Sequence, residues 1–361
     1  MRVLIIANND MGLYKFRREL LEELVKEHEV TISLPDGEFV PAMVDLGCSF
    51  EPCELLDRHG TNPVKELKLI GYYKKLIRRV KPDIVLTYTI KPNIYGGMAC
   101  AALRVPYVAN ITGLGTAVEN GGLMQKVLPI LYRFGLRKAQ KVFFQNAANR
   151  DFMLAKGVIR TPYDLLPGSG VNVERFAYQP YPETDSPMVF VTVGRIVKDK
   201  GADEVLYAAR KIRETRPDVI FRLVGGFDGA YEETVKAAAA EGIVEYVGQQ
   251  SDVIPFLRDS HAILHASYHE GMANVLLEAA SCGRPAVATN VPGVRETYDD
   301  GISGISCPAR DGDALAAAIE AFLKLPHDRK EAMGRAGREK ILREFDRGIV
   351  VNKYIQEINS I

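Results

Sequence analysis

A basic loop in the second half of the sequence carries the residue types that bind phosphate. Gly194, Arg195, Lys200 and Gly201 stand in the segment VGRIVKDKG, which follows an apolar run and precedes a helical pattern. Cations beside a helix N-terminus favour a bound anion, because the first backbone N–H groups have no partner within the helix. Two cations at this place predict a diphosphate site, and a solvated basic loop is the alternative. Lys198 precedes the turn and is expected to point to solvent.

Two glutamates follow in the segment HEGMANVLLEA with an E-x7-E spacing. Glu270 precedes the predicted helix and Glu278 lies inside it, so about 12 Å of helical rise separates them. At that distance they cannot form a close carboxylate dyad. They are predicted to contact opposite ends of one ligand, with the amides of Gly271 and Met272 directed at its phosphates. The alternative is a pair of surface glutamates on an amphipathic helix.

The first half has three loops of the same kind, each placed after a predicted strand. Lys91 lies in YTIKPNIYG, and Gly113 lies in the ITGLG loop after the next strand. The loop after the first strand, NDMGLYKFRR, holds one glycine that permits a turn and several cations; these residues are Gly12, Lys15, Arg17 and Arg18. We expect the cations of these loops to face an anion or a polarised oxygen. The alternatives are a surface lysine and an ordinary amphipathic helix.

These loops are positioned by short apolar runs that alternate with helical patterns along the whole chain, which predicts parallel sheets covered on both faces. The predicted strands are Val3–Ala7, Val30–Leu34, Ile84–Tyr88, Tyr107–Asn110, Lys141–Gln145, Met188–Val193, Ile220–Val224, Glu245–Val247, Ala262–His265 and Ala286–Thr289. The proline-rich stretch Tyr178–Pro187 predicts a linker between two doubly wound α/β domains, residues 1–177 and 188–345. A last helix, within residues 346–361, can pack back on the first domain. Ligands are expected at the carboxyl ends of the strands, in a cleft between the domains.

Composition narrows the class of protein. The chain has 361 residues, 47% of them apolar and 25% charged, which suits a soluble protein of two domains. No apolar run is long enough to span a membrane. Five scattered cysteines suggest reduced thiols in the cytosol. Residues 1–180 carry a net charge of +6 and residues 181–361 carry −6, so a nucleic-acid partner is not expected.

Two helical segments, residues 65–81 and 123–141, are basic and amphipathic, which predicts contact with an anionic membrane surface. A helix that covers a sheet with a basic outer face is the alternative. The glycine pairs lack the setting of a dinucleotide fingerprint, so NAD is not expected. Asp311-Gly312-Asp313 precedes a helix and is interpreted as an N-cap rather than a metal site. His261, His265 and His269 lie on an extended segment; His265 either faces the cleft or is buried.

The whole chain resembles the GT-B-fold retaining glycosyltransferases of family 4. The resemblance rests on EGMANVLLEAASCGRPAVATNVPGVRE at residues 270–296, VGRIVKDKG at 193–201 and GSGVNVERF at 168–176. The segments YTIKPNIYG and ITGLG resemble bacterial transferases that extend lipid-linked oligosaccharides for capsule, exopolysaccharide or glycoprotein assembly. Many members of the family carry a histidine in the loop where this chain has Lys91. They also carry a Gly-Gly pair in the first loop, where only Gly12 is present here.

The resemblance implies two domains that face a central cleft and a nucleotide-sugar donor, most often UDP-linked, bound mainly by the second domain. By this resemblance, Arg195 and Lys200 are expected to bind the diphosphate. Glu270 is expected to contact the donor sugar, and Glu278 the ribose. The uracil is expected near Gln249. Other expected donor contacts come from Gly194, Gly271, Met272, Ala273 and Asn274. The acceptor is expected on the first domain at Gly12, Lys15, Arg17, Arg18, Lys91 and Gly113, with Lys91 also a candidate catalytic group.

The predicted activity is therefore transfer of a hexose or N-acetylhexosamine, with retention, to a saccharide linked to a polyprenyl diphosphate. Neither a metal nor another cofactor is expected, because two cations replace the charge of a metal ion. The protein is expected in the cytoplasm, peripherally on the inner face of the membrane. Two alternatives stay open at this point. One is another GT-B enzyme, such as a sugar-nucleotide epimerase or a phosphorylase, and the other is a non-catalytic protein that binds sugar nucleotides.

Overall fold

The computed structural model describes residues 1–56, 62–114, 123–227 and 231–360. The chain divides into two compact units: unit 1 holds Met1–Ser169 with Gly348–Ile361, and unit 2 holds Gly170–Arg347. The chain therefore passes between the units twice, after Ser169 and after Arg347. Each unit is built on a parallel sheet, which confirms the predicted fold class of two doubly wound α/β domains.

The sheet of unit 1 has seven parallel strands among the described residues, in the order β3-β2-β1-β4-β5-β6-β7. The strands are β1 Arg2–Ile6, β2 Glu29–Leu34, β3 Ser49–Pro52, β4 Ile84–Tyr88, β5 Tyr107–Ile111, β6 Lys141–Phe144 and β7 Tyr163–Leu165. Successive side chains of a strand point to opposite faces. Accordingly, Leu4 and Ile6 join one hydrophobic core, and Val3 and Ile5 join the other.

Helices cover both of these faces. They are Asp10–Glu27, Val40–Asp45, Pro63–Val80, Gly97–Leu103, Leu123–Leu136, Ala147–Ala155 and Arg347–Ile358. The segment Pro92–Gly96 is a π-helix that leads into the α-helix Gly97–Leu103. The last helix brings Tyr354 into the core that contains Val3.

Unit 2 repeats the architecture with six parallel strands in the order β10-β9-β8-β11-β12-β13. The strands are β8 Val189–Val193, β9 Ile220–Val224, β10 Glu245–Tyr246, β11 Ala262–His265, β12 Ala286–Thr289 and β13 Gly304–Cys307. The helices are Ala202–Thr215, Tyr231–Ala240, Ile254–Arg258, Asn274–Ser281, Gly312–Leu323 and His327–Glu344. Asp311 caps the helix Gly312–Leu323, because its side chain accepts from the Ala314 amide, so the N-cap interpretation is confirmed.

The proline-rich stretch Tyr178–Pro187 lies inside unit 2 rather than at a passage between the units. The buried Arg284 guanidinium donates to the carbonyls of Gln179 (3.0 Å) and Pro180 (2.7 Å). Tyr181 donates through its phenol to a backbone carbonyl of the same unit. Buried backbone carbonyls need donors, and here side chains supply them. Composition therefore identifies an irregular segment, but long-range contacts attach it to unit 2.

In both sheets the chain first adds strands on one side of the sheet's first strand, and then adds the later strands on its other side. The reversal falls between β1 and β4 in unit 1, and between β8 and β11 in unit 2. The loops that leave the carboxyl ends of two such strands run in opposite directions, which opens a crevice for a ligand. Each unit thus has one edge position where topology favours binding.

Candidate functional site

The loop after β8 depends on two glycines. Gly194 has φ +144°, and Gly201 has φ +73° at the end of the short 3-10 turn Lys198–Lys200. A Cβ on Gly201 would lie 2.2 Å from the carbonyl oxygen of Ala266. Only glycine fits this approach, so the expected close contact is present and joins the loops after β8 and β11.

The loop after β11 is hydrogen-bonded through its backbone to the loop after β12. The amide of Ala273 donates to the carbonyl of Gly293 at 2.7 Å, and Glu270 donates through its amide to Pro292 at 3.3 Å. Gly293 has φ +80°, and a Cβ there would lie 2.3 Å from the carbonyl oxygen of Glu270. These backbone contacts fix Glu270 at the carboxyl edge of the sheet.

A charge cluster forms where these two loops meet. Lys200 Nζ lies 2.5 Å from Glu270 Oε1, and the Ser267 hydroxyl donates to the same oxygen at 2.8 Å. His265 Nε2 lies 3.3 Å from it. Burial alone would raise the pKa of the Glu270 carboxyl, but His265 and Lys200 outweigh burial and hold that pKa well below its usual range. Glu270 is therefore a fixed carboxylate at neutral pH.

Beside this cluster is a cavity of about 190 Å³. Its lining combines apolar side chains with the polar residues Arg195, Lys200, His265, Glu270 and Asn274. Among the residues that the structure describes, no group donates a hydrogen bond to the buried Asn274 Oδ1, and the buried His265 Nε2 has no well-formed hydrogen bond. Buried polar atoms are normally hydrogen-bonded, so Asn274 Oδ1 is available to a ligand, whereas His265 Nε2 already faces Glu270. Ligand sites commonly combine an apolar wall with a few convergent polar groups of this kind.

The structure brings most of the predicted donor residues together. Those that line the cavity are Gly194, Arg195, Lys200, Glu270, Met272, Ala273 and Asn274. Gly271, Gln249 and Glu278 lie outside its lining. Gln249 is exposed beyond β10, and Glu278 is partly exposed on the helix Asn274–Ser281. Lys198 is exposed, as expected.

Two residues of this region have structural roles that the sequence does not reveal. The sequence allows His265 either in the cleft or in the core, and the structure shows that it is buried yet lines the cavity. The Tyr268 phenol donates to both carboxylate oxygens of Glu204, at 2.8 and 3.0 Å, beneath the Arg310 guanidinium. The position of His265 at the end of a buried strand is a usable signal, because such ends face a ligand. Tyr268 has no such signal, because its partners are distant in sequence.

In unit 1, the loop after β4 carries Lys91. Its ammonium lies 2.6 Å from Glu66 Oε1, and both side chains are mostly buried. Thr89, two residues earlier, has φ +73°, which is unusual for a β-branched residue. Gly113 follows β5 and is partly exposed, and Gly115 of the same predicted loop lies outside the described residues.

The cations predicted at the start of the first helix of unit 1 differ in how deeply they are buried. The Arg17 guanidinium is buried, 5.2 Å from the centre of the Tyr88 ring and 5.7 Å from that of Tyr354. Arg17 therefore faces two aromatic rings in the interior and does not present its charge at the surface. Arg18 is exposed and pairs with Glu22, whereas Lys15 is partly exposed.

Gly12 does not form the expected turn. The helix Asp10–Glu27 already begins at Asp10, and the Gly12 amide donates to Asn9 Oδ1 at 2.6 Å. Asn9 is thus the N-cap, which supplies an acceptor for an otherwise unpaired amide. Gly12 lies in the first helical turn.

Within the described ranges, no group of three or more His, Cys, Asp or Glu side chains has a geometry that could hold a metal ion. No helix of those ranges combines the length and apolar character needed to cross a membrane.

Both halves of the sequence match known families. Residues 2–146 match the family described as glycosyl transferase 4-like, and residues 175–340 match the glycosyl transferases group 1. Among solved structures, HepE from Anabaena in complex with UDP and glucose superposes with a TM-score of 0.83 at 17% identity, over 100% of both chains. At that identity the likeness shows the fold alone.

Two curated relatives align over nearly their whole length. The N,N'-diacetylbacillosaminyl-diphospho-undecaprenol alpha-1,3-N-acetylgalactosaminyltransferase of Campylobacter jejuni is 24% identical, over 99% of this chain and 98% of the relative. The GDP-mannose-dependent alpha-(1-6)-phosphatidylinositol monomannoside mannosyltransferase of Mycolicibacterium smegmatis is 27% identical, over 93% and 92%. Both are glycosyltransferases by name.

Proposed function

This chain belongs to the GT-B glycosyltransferases, and on that premise we propose that it moves a hexose or an N-acetylhexosamine from a nucleotide sugar to a saccharide acceptor. The proposed nucleotide is UDP, the proposed acceptor is linked to a polyprenyl diphosphate, and the product keeps the anomeric configuration of the donor. The observation that carries the proposal is the cluster of Arg195, Lys200 and Glu270 at the carboxyl edge of unit 2.

The donor assignment follows from charge. A nucleotide sugar presents a diphosphate, and Arg195 and Lys200 are the cations that line the cavity. Glu270 holds Lys200 in place through their ion pair. The Glu270 carboxylate and the unpartnered Asn274 Oδ1 are acceptors suited to sugar hydroxyls. HepE, which shares the fold and was solved with UDP and glucose, supports a UDP-sugar as the donor.

In the proposed reaction, an acceptor oxygen attacks the anomeric carbon on the face from which the diphosphate departs. The bond between that carbon and the phosphate oxygen breaks, and the acceptor's proton passes to the departing phosphate. Arg195 and Lys200 stabilise the charge that develops on the diphosphate. Preorganised charge of this kind is usually the largest contribution to catalysis. No metal ion is then required.

Metal independence is tested directly. We expect EDTA to leave the initial rate unchanged in a chelator-washed preparation. Loss of turnover that magnesium or manganese restores would contradict this part of the proposal.

The acceptor assignment has separate support. The Campylobacter relative is named for a diphospho-undecaprenol acceptor. In this chain the helix Leu123–Leu136 exposes a stripe of alternating basic and apolar side chains, namely Lys126, Ile130, Arg133 and Phe134. The helix contains no acid. A basic and apolar face suits an anionic leaflet, which in a cell is the cytoplasmic one. We therefore place the enzyme peripherally on that leaflet, in the synthesis of a surface polysaccharide or glycan such as a capsule or an exopolysaccharide.

Vesicle binding tests the membrane proposal. We expect sedimentation with phosphatidylglycerol vesicles at low salt, and loss of it in the double variant Ile130→Ser and Phe134→Ser. Leu342→Ser, which alters an exposed apolar side chain of unit 2, is the matched control. Equal binding by all three proteins would contradict a role for this helix.

The decisive experiment for function is a donor screen that measures nucleotide release in the presence and absence of short-chain polyprenyl-diphosphate-linked saccharides. Release that depends on the acceptor, with an α-linked product from an α-linked donor by NMR, is the expected result. Epimerised or cleaved donor without an acceptor would favour another GT-B enzyme. Tight donor binding without turnover on any acceptor would favour a binding protein.

A further inference from the structure

The carboxyl end of β4 in unit 1 has two polar atoms that the fold leaves without partners. Glu66 Oε1 accepts from Lys91, but Glu66 Oε2 is buried and accepts no hydrogen bond within the described residues. Thr89 Oγ1 is also buried and unpartnered. Buried polar atoms are normally hydrogen-bonded, so each such atom needs an explanation.

The loop that carries Thr89 is strained and firmly supported. A β-branched residue at φ +73° is strained, and it persists only where the surroundings dictate that conformation. Here the support is a buried network: the Thr87 hydroxyl donates to Asn93 Oδ1 at 2.7 Å, and the side-chain amides of Asn93 and Asn110 donate to backbone carbonyls. The backbone amide of Asn93 donates to the carbonyl of Thr89 at 3.0 Å. The strain is therefore maintained by the interior.

Glu66 reaches this loop from the first turn of the helix Pro63–Val80. Its pairing with Lys91 places the carboxylate beside the residue that follows Thr89 by two positions. Burial raises the pKa of Tyr95 to about 12, and the nearby Glu66 carboxylate adds to the rise. An anionic acceptor atom and a hydroxyl are thus held on one rigid edge, at the strand-order reversal where a ligand is expected.

The geometry points to a saccharide-hydroxyl subsite in which Glu66 Oε2 accepts from one hydroxyl of the acceptor sugar and Thr89 Oγ1 contacts another. The inference rests on the proposed function, because it takes the acceptor to be a saccharide bound by unit 1. It adds Glu66 and Thr89 as acceptor-binding residues. Lys91 fixes the Glu66 carboxylate by binding its other oxygen.

Two near-isosteric substitutions test the subsite. Glu66→Gln removes the charge, and Thr89→Val removes the hydroxyl while the residue stays β-branched. Since a hydrogen bond to a charged group is worth more than a neutral one, we expect the KM for the acceptor to rise about 10–100-fold in Glu66→Gln. We expect a rise of about 3–10-fold in Thr89→Val, with Thr89→Ser near the wild type. The KM for the donor should stay within about twofold in all three, since unit 2 binds the donor.

Controls separate binding from folding. Glu29→Gln, at the amino end of β2 on the opposite edge of the sheet, should change no kinetic constant. Thermal unfolding of every variant reports any structural loss. A lower melting temperature with an unchanged KM for the acceptor would overturn the subsite, as would equal rises in both KM values or equal constants for Thr89→Ser and Thr89→Val.

Two acceptors separate the subsite from the proposed function. Kinetics are measured with an N-acetylhexosamine on a short polyprenyl diphosphate and with its methyl glycoside. If the wild type uses both equally, the lipid-linked acceptor is contradicted, while the variants still test the subsite on the glycoside. If neither turns over, calorimetry of the methyl glycoside with UDP present decides, and absence of binding would overturn the subsite.

Discussion

The strand order reverses at equivalent positions in the two units, but different side chains lie at the two reversals. In unit 2 the reversal between β8 and β11 has a cavity lined by Arg195 and Lys200, and Lys200 is paired with the carboxylate of Glu270. In unit 1 the reversal between β1 and β4 has Lys91 held by Glu66. Sheet topology thus determines where a ligand can bind, whereas the residues of the loops determine which kind of ligand fits there.

The loops are also rigid for different reasons. In unit 2 the backbones touch directly, at Gly201 and at Gly293, where no side chain fits. In unit 1 a buried network of side-chain amides and hydroxyls, centred on Asn93 and Asn110, supports the loop. The proposed diphosphate site needs fixed cations, and direct backbone contact between the loops holds them in place. The following experiments test this contrast.

The largest expected effect is on catalysis in unit 2. Lys200→Ala should lower kcat about 100–1000-fold, the scale for loss of one group that stabilises a transition state. The matched control is Lys198→Ala, an exposed cation of the same 3-10 turn, which should keep its activity. Steady-state kinetics with saturating donor measure both. Similar kcat values for the two variants would contradict the proposed role of Lys200 in stabilising the transition state.

The next effect is on stability. Gly201→Ala should lower the free energy of unfolding by about 2–4 kcal/mol, because its Cβ would clash with the carbonyl of Ala266 as well as strain the backbone. Gly242→Ala is the control, since Gly242 has the same φ of +73° with open space around it. Backbone strain alone should cost about 1–2 kcal/mol there. Urea unfolding measures the difference, and equal losses would mean that close approach of the two loops contributes nothing.

A smaller effect is expected at Glu278, outside the cavity lining. If Glu278 binds the ribose, Glu278→Ala should weaken UDP binding about 10–100-fold with little change in kcat at saturating donor, because charged hydrogen bonds are lost in ground and transition state alike. Glu233→Ala, an exposed glutamate of the helix Tyr231–Ala240, is the control. An unchanged UDP affinity in calorimetry would contradict a contact between Glu278 and the donor.

The smallest effect is on the pH dependence of stability. The pKa of the folded Glu270 carboxyl is lowered from its ordinary value of 4.5, so its ionised form stabilises the fold. That contribution is complete above the ordinary pKa and is lost as pH falls through the lowered one. The difference in unfolding free energy between wild type and Glu270→Gln should therefore be constant from pH 7 to pH 5.5 and shrink at lower pH. A difference that grew on acidification would contradict the ion pair.

Sequence reasoning succeeded best in the centres of the sheets. The predicted bounds of Ile84–Tyr88, Ile220–Val224, Ala262–His265 and Ala286–Thr289 match the structure. Central parallel strands are buried on both faces, so they form continuous apolar runs that are easy to identify. The strands β3, β7 and β13 were missed because edge positions leave part of each strand exposed, which removes the apolar pattern.

For the site, the rule that ligands meet the carboxyl ends of strands points to the loops that line the cavity of unit 2. It could not reveal partners that are distant in sequence. Glu66 lies 25 residues from Lys91, and nothing in either segment indicates that they pair. Arg17 had the composition of a surface cation, but Tyr354, from the other end of the chain, covers it. Burial of a charge depends on the tertiary fold, which local composition does not encode.

The return of the last helix to unit 1 has a consequence during synthesis. Val350, Tyr354 and Ile358 pack in the same core as Val3 and Ile5, yet they leave the ribosome after every residue of unit 2. Domains usually fold in the order in which they are translated. Here the first unit to emerge is the last to be completed, so a premature stop codon near residue 348 would damage the part of the protein that was made first.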